Sequence, residues 1–271
     1  MRRRDFIKQT SSALLILSSG KILSVFNPYE DMQNKKPVLR FVVASDGHYG
    51  QKDTEYEKYF DTLVENINRQ HDKKAFDFCV INGDIIHDDK KWFPEAKKAL
   101  DKLATRYYVS QGNHDHATPQ EWEEIWKMQV NLDFNIQKNT ILIGTTSDEQ
   151  GTYLCPDVMW FEKKLEEYKN QGNIFIFIHI NPGKQTRHAV DCPDLFDLFS
   201  KYKNVRAVFN GHDHDEENIK MKNNIPFIFD AHFGGNWGTT YRGFRIVELR
   251  KDNSILTYIL NPTDKINQQT F

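Results

Sequence analysis

The residues able to do chemistry stand in short clusters, each directly behind an apolar run. Asp46-Gly47-His48 follows Val38–Ala44, Gly83-Asp84 follows Phe76–Ile81, and Gly112-Asn113-His114-Asp115 follows Tyr107–Val109. His179 follows Asn173–Ile178, and Gly211-His212-Asp213-His214 follows Val205–Phe209. Carboxylates, a neutral amide oxygen and imidazoles form a mixed oxygen and nitrogen donor set. Such a set suits Mn, Fe, Zn or Ni, whereas Ca wants oxygen alone. The donors Asp46, His48, Asp84, Asn113, His179, His212 and His214 are too many for one tetrahedral ion. They suit two divalent transition-metal ions sharing a carboxylate. Asp84 is the natural bridge, because one carboxylate can give an oxygen to each ion.

Taken singly, each cluster has a plainer reading. Asp46-Gly47 and Gly112-Asn113 are ordinary turn chemistry, Gly83-Asp84 is a helix-capping start, and His179 is a satisfied buried histidine. Their recurrence behind separate apolar runs is what packing alone does not explain.

The apolar runs read as buried strands, and the intervals between the first of them as helices. Thr54–Gln70 carries Tyr56, Tyr59, Phe60, Leu63, Val64 and Ile67 on one side; Trp92–Leu103 has Pro94 in its first turn. Helices are also predicted at Pro119–Gln129, Pro156–Asn170 and Leu195–Phe199, with a hairpin at Phe134–Gln137 and Thr140–Gly144. Beyond His214 the pattern is all strand: Ile219–Met221, Phe227–Phe229, Phe244–Leu249 and Ile255–Leu260. Alternation followed by strands implies an α/β fold with two central sheets flanked by helices. One domain spans residues 37–262, with 263–271 as a tail. Open α/β sheets place ligands at the carboxyl ends of their strands, where every cluster falls.

Composition agrees with a globular protein: 39% hydrophobic, 27% charged, net charge -2. No basic cluster outside the N-terminus suggests a nucleic-acid partner, and no apolar stretch is long enough to span a membrane. Of three cysteines, Cys79 lies in an apolar strand, while Cys155 and Cys192 lie in Pro-adjacent loops where one disulfide is conceivable. At the N-terminus, Arg3-Arg4-Asp5-Phe6-Ile7 precedes a modest apolar stretch from Ala13 to Leu17. Residues 1–28 thus resemble a twin-arginine export signal, which implies passage to the bacterial periplasm. A disordered basic tail is the alternative.

Asp46-x-His48, Gly83-Asp84, Gly112-Asn113-His114-Asp115, His179 and Gly211-His212-x-His214 resemble the five-block signature of calcineurin-like metallophosphoesterases. The resemblance implies a four-layer α/β/β/α sandwich with two mixed central sheets and a two-metal centre at the strand ends. It places Asp46, His48, Asp84 and His214 around one ion, and Asp84, Asn113, His179 and His212 around the other. A hydroxide bridging the ions would attack phosphorus, with His114 as general acid, oriented by Asp115. The expected substrate is a small phosphate ester. Where purple acid phosphatases carry a ligand Tyr, this chain has His87, and Asp46-Gly47-His48 is similar to phosphodiesterases of the superfamily. Phosphodiesters are therefore favoured, with a phosphomonoesterase as the alternative and a non-catalytic metal-binding adaptor behind it. Arg187, with Lys184 and His188, follows His179 in a loop that could overhang the site and contact phosphate. Trp237 and Tyr241 could stack on a base or ring; His71, His87, His116 and His232 have no assigned role.

Overall fold

Side chains alternate across a strand, and in this protein both faces of the central strands are apolar, so each sheet must be covered twice. The computed structural model describes residues 14–16, 22–24, 37–230, 232–261 and 264–271. The Arg3-Arg4 pair and most of the export region lie outside the described residues. After a short antiparallel pair, β1 (Leu14–Ile16) and β2 (Ile22–Ser24), come β3 (Leu39–Ala44), α1 (Tyr56–Lys73), β4 (Phe78–Asn82), α2 (Phe93–Leu100), β5 (Tyr107–Ser110) and α3 (Pro119–Trp126). The second half continues with β6 (Leu132–Ile136), β7 (Asn139–Gly144), α4 (Val158–Tyr168), β8 (Asn173–Ile178), α5 (Pro193–Ser200) and β9 (Val205–Asn210). It closes with β10 (Ile219–Lys222), β11 (Ile225–Phe229), β12 (Phe244–Leu249), β13 (Ile255–Asn261) and β14 (Asp264–Thr270).

The strands form two mixed sheets of six, ordered β14-β13-β12-β3-β4-β5 and β10-β11-β9-β8-β7-β6. In the first, β3, β4 and β5 run parallel; in the second, β7, β8, β9 and β11 do. On β3 and β4, Val42, Ala44, Cys79 and Ile81 face outward against Phe60, Leu63 and Ile67 of α1 and Phe93 and Leu100 of α2. Their neighbours Phe41, Val43, Phe78 and Val80 face inward and meet Phe175, Phe177 and Phe209 of the other sheet. Ile174, Ile176 and Ile178 then point out to Phe161 and Leu165 of α4 and Leu195 and Phe199 of α5. The result is the expected four-layer α/β/β/α sandwich. Truncating an interlayer ring such as Phe177, which is fully buried, would cost about 3–5 kcal/mol.

Local chemistry sets the helix starts. Thr118 and Glu121 form a reciprocal capping box at α3, and Asp157 accepts from the Trp160 amide to start α4. Asp264–Thr270, read from sequence as part of a tail, instead pairs with β13 as an edge strand. Its mostly polar residues carry little of the alternation that marks the other strands. Cys155 and Cys192 are joined in a disulfide with Cα atoms 5.7 Å apart, tying the β7–α4 loop to the β8–α5 loop. Cys79 is buried and free. No helix among the described residues is long and apolar enough to cross a membrane.

Candidate metal centre

Parallel neighbours within each sheet, stacked face to face, bring the ends of β3, β4, β5, β8 and β9 to one edge. There the predicted donors converge in two groups, Asp46 with His48 and His214, and Asp84 with His179 and His212, the ligand atoms of each group lying within 4.8 Å of one another. Asp46 Oδ1 lies 3.2 Å from His214 Nε2 and 3.8 Å from His179 Nε2. Asp84 Oδ2 lies 3.1 Å from His179 Nε2 and 3.8 Å from His48 Nε2. The two groups therefore share a wall of two carboxylates.

Each carboxylate is anchored by donors from neighbouring loops. Asp46 Oδ2 accepts from the Ser45 hydroxyl, and the His212 amide is shared between Oδ2 at 3.0 Å and Oδ1 at 3.1 Å. Asp84 Oδ1 accepts from the His114 amide at 2.9 Å. Asp84 Oδ2 faces the centre, and Oδ1 keeps a second lone pair beside the amide bond, so Asp84 would be able to serve both groups. The imidazoles are oriented too. His179 Nδ1 donates to the Asn82 carbonyl at 2.6 Å, and His214 Nδ1 to the Trp237 carbonyl at 3.2 Å, which turns both Nε2 atoms toward the centre.

The backbone bends sharply to aim these groups. Asp46, His48, Asp84 and His212 all have positive φ, between 47° and 67°. Left-handed backbone at a non-glycine residue costs of order 1–3 kcal/mol and gathers at functional sites. Two motif glycines allow loops from different strands to touch. A Cβ on Gly112 would run into the Asp84 carboxylate, and one on Gly83 into the His179 ring.

The donor set fits a cation. Asn113 Oδ1 and His212 Nε2 are buried without hydrogen-bond partners, a costly arrangement unless something binds them. Burial works against charge on Asp46, yet His214 and His179 outweigh it and hold the carboxyl well below the usual range. Asp84, opposed by burial but faced by His179, is also held low. Burial disfavours charge on His179 as well, but Asp84 and Asp46 raise it to about 10. Burial lowers His48, and lowers His212 to about 4. Anionic carboxylates among mostly neutral imidazoles form a site that attracts positive charge.

Beside this centre stands His114, whose Nδ1 lies 2.6 Å from Asp88 Oδ1. Asp115 does not orient it. The Asp115 carboxylate accepts from the amides of Gly112, Ile85 and Ile86, pinning the loop that carries Asn113 and His114. Asp88, at φ 64° in the turn after β4, takes the orienting role. His87, given no role from sequence, stacks on His114 with ring centroids 4.9 Å apart and meets His48 Nδ1 at 3.1 Å. For Asp88 proximity in sequence to Asp84 was the only signal; His87 also stands where purple acid phosphatases carry a ligand Tyr.

The outer residues divide. Arg187 is exposed, and it is His188 that turns an edge toward His212, 6.1 Å away. Tyr153, on the disulfide-tied loop, meets His212 edge-on at 5.0 Å. Trp237 lies flat on His214 at 4.2 Å, and the Tyr241 hydroxyl is buried. His232 stacks against His214 at 4.6 Å.

Comparison with known proteins agrees with this fold. The chain is similar in fold to a dimetal phosphatase from Danio rerio (TM-score 0.67, 12% identity, covering 87% of this chain and 99% of that one). It is also similar to GAP50 of Plasmodium (TM-score 0.63, 14% identity, 87% and 88% covered). A purple acid phosphatase from yellow lupin (Lupinus luteus) gives a TM-score of 0.59 at 15% identity, over 86% of this chain and 53% of that one. No functionally curated protein matches in sequence. The sequence profile of the calcineurin-like phosphoesterases matches residues 39–216, more than half of the chain. The chain therefore belongs to the calcineurin-like phosphoesterase family.

Proposed function

We propose that this protein hydrolyses small phosphate esters, phosphodiesters ahead of monoesters, at a two-metal centre. The observation that carries the reading is the pair of buried, unpartnered ligand atoms on Asn113 and His212 beside two inward carboxylates and the His179 imidazole. Asp46, His48, Asp84 and His214 would hold one divalent ion, and Asp84, Asn113, His179 and His212 the other. Mn, Fe, Zn and Ni all accept these donors. When bound, such ions supply Lewis acidity toward phosphate oxygens and make water a nucleophile near neutral pH.

The chain's own residues do the rest. The donors that anchor Asp46 and Asp84 keep both carboxylates directed inward, so little reorganisation is needed on binding. His114, held through Nδ1 by Asp88, presents Nε2 as the proton donor to the leaving oxygen as its bond to phosphorus breaks. Asp88 keeps the ring in that tautomer and stabilises the imidazolium. The phosphodiester preference rests on the similarity of Asp46-Gly47-His48 to phosphodiesterases. Export to an oxidising compartment, the bacterial periplasm, belongs to the same proposal. The Cys155–Cys192 bridge supports it, since structural disulfides are rare where thiols are kept reduced.

The test strips the protein of metal and refills it in parallel with Mn, Zn, Fe or Ni. Hydrolysis of an aryl phosphodiester and an aryl monoester is then followed, alongside His114→Ala. Metal-dependent turnover that drops about 10²–10⁴-fold in the variant, with metal content unchanged, is the expected result. A rate ratio favouring the monoester would reassign the subclass. Two bound metals without turnover of either ester would point to an adaptor, and failure to bind metal would end the proposal.

A further inference from the structure

The rim of the centre holds an aromatic platform that the metal ligands do not need for coordination. Trp237 lies between Asn236 and Gly238 on the turn that follows β11, and it is 42% exposed. One face of the indole is flush on His214, with centroids 4.2 Å apart and planes 11° apart. His48 also abuts the ring, with centroids 4.8 Å apart at 54°, so the exposure belongs to the parts of the indole that neither imidazole covers. An indole held open to solvent at a site mouth gains nothing from burial there, and fixed aromatic planes are what ligand sites use.

The platform is rigid. His214 Nδ1 donates to the Trp237 carbonyl, the Thr239 amide donates to the His214 carbonyl at 3.0 Å, and Arg242 Nη2 donates to the Gly235 carbonyl at 2.6 Å. Gly238, at φ 99°, presses so close that a Cβ there would meet His214. A plane fixed before binding loses little entropy when a ligand stacks on it.

Its location selects the part of the substrate it would meet. The indole centroid is 6.3 Å from that of His114 and 6.2 Å from that of His87. A leaving oxygen protonated by His114 must come within about 2.6–3.2 Å of its free ring nitrogen. The next atoms of the leaving group then fall beside the indole. Tyr241 is partly buried and its hydroxyl points into the protein.

We infer that Trp237 is a specificity-determining residue that stacks on a planar ring in the leaving group, so that the preferred substrates are phosphate esters of ring-bearing alcohols such as benzylic or heterocyclic ones. The inference rests on the phosphoesterase reading and narrows its substrate class.

The test compares two leaving alcohols of similar size and acidity, one planar and one not. Benzyl methyl phosphate and cyclohexylmethyl methyl phosphate are offered to the metal-loaded protein. Calorimetry measures binding of benzylphosphonate and cyclohexylmethylphosphonate, whose P–C bonds resist hydrolysis. The wild type should favour the benzyl member of both pairs by roughly 10-fold or more, the range of one ring-on-aromatic stack. Trp237→Leu, which keeps an apolar cover on His214 without a plane, should abolish the preference, and Trp237→Phe should retain part of it. Metal content, measured for each variant, should match the wild type. Equal binding of the two phosphonates by the wild type, or an undiminished benzyl preference in Trp237→Leu, would overturn the inference. Because the phosphonate arm needs no turnover, it decides the stacking question even if neither ester is hydrolysed, an outcome that would count against the phosphoesterase reading instead.

Discussion

His114 Nδ1 and Asp88 Oδ1 lie 2.6 Å apart, joining the turn after β4 to the loop after β5 at the edge of the metal centre. This contact makes Asp88 the residue that fixes how His114 faces a leaving group.

Burial works against charge on His114, but Asp84 and Asp88 outweigh it and hold its pKa above the ordinary 6.5. As an acid it works while protonated, so its contribution persists above pH 6.5 and fades as pH rises through the elevated value. Asp88→Asn removes one source of the elevation. The alkaline limb of the kcat profile should move to lower pH and kcat should fall about 10- to 100-fold, with metal content unchanged. An unmoved limb would remove Asp88 from this role.

His179, raised to about 10 by Asp84 and Asp46 against its burial, carries a proton in the metal-free protein at neutral pH. A metal ion must displace it. Calorimetric titration with Zn or Mn in buffers of different ionisation enthalpy should show proton release, and affinity should climb as pH rises toward that value. The charged His179 stabilises the metal-free fold fully below pH 6.5, and this support is lost as pH rises through about 10. Thermal melts of the stripped protein should therefore weaken between those limits. Affinity independent of pH would contradict the assignment.

Gly112→Ala should damage the centre without touching a ligand. The new methyl group meets the Asp84 carboxylate and its backbone amide, so the loops after β4 and β5 must separate. Metal affinity should drop at least 10-fold, with about 1–3 kcal/mol lost from stability. Wild-type metal content and melting temperature in this variant would show that the loops have room to spare.

The Cys155–Cys192 bridge closes a loop with a sequence separation of 37 residues. Chain entropy alone gives such a cross-link about 3–4 kcal/mol. Reduction, or Cys155→Ser with Cys192→Ser, should lower the melting temperature by several degrees. It should also free the segment that sets Tyr153 against His212, raising KM more than it lowers kcat. No change in melting would mean the two loops are held by other contacts.

The candidate metal donors that converge at one sheet edge stand out in the sequence because each is a polar residue interrupting an apolar run, and a buried strand has to end where such residues begin. The continuous apolar runs Phe41–Ala44 and Phe78–Ile81 similarly betrayed strands covered on both faces, while the family resemblance supplied the four-layer sandwich. Side-chain partnership was not legible. Asp115 is next to His114 in the chain, yet its carboxylate turns back to three amides. Asp88, a turn-former from the preceding strand end, reaches the imidazole because its backbone adopts φ 64°. Adjacent residues at a bend diverge, so nearness in sequence does not predict contact there. The strand β14 escaped notice because an edge strand with polar residues carries no alternation, and only its pairing with β13 defines it. Likewise a Gly-rich loop does not reveal which of Trp237 and Tyr241 is left open at the site. That depends on how the turn after β11 lays the Trp237 ring against His214, and on the packing of strands distant in sequence. The chain determined which atoms could bind metal; the stacking of the two sheets decided which of their neighbours serve them.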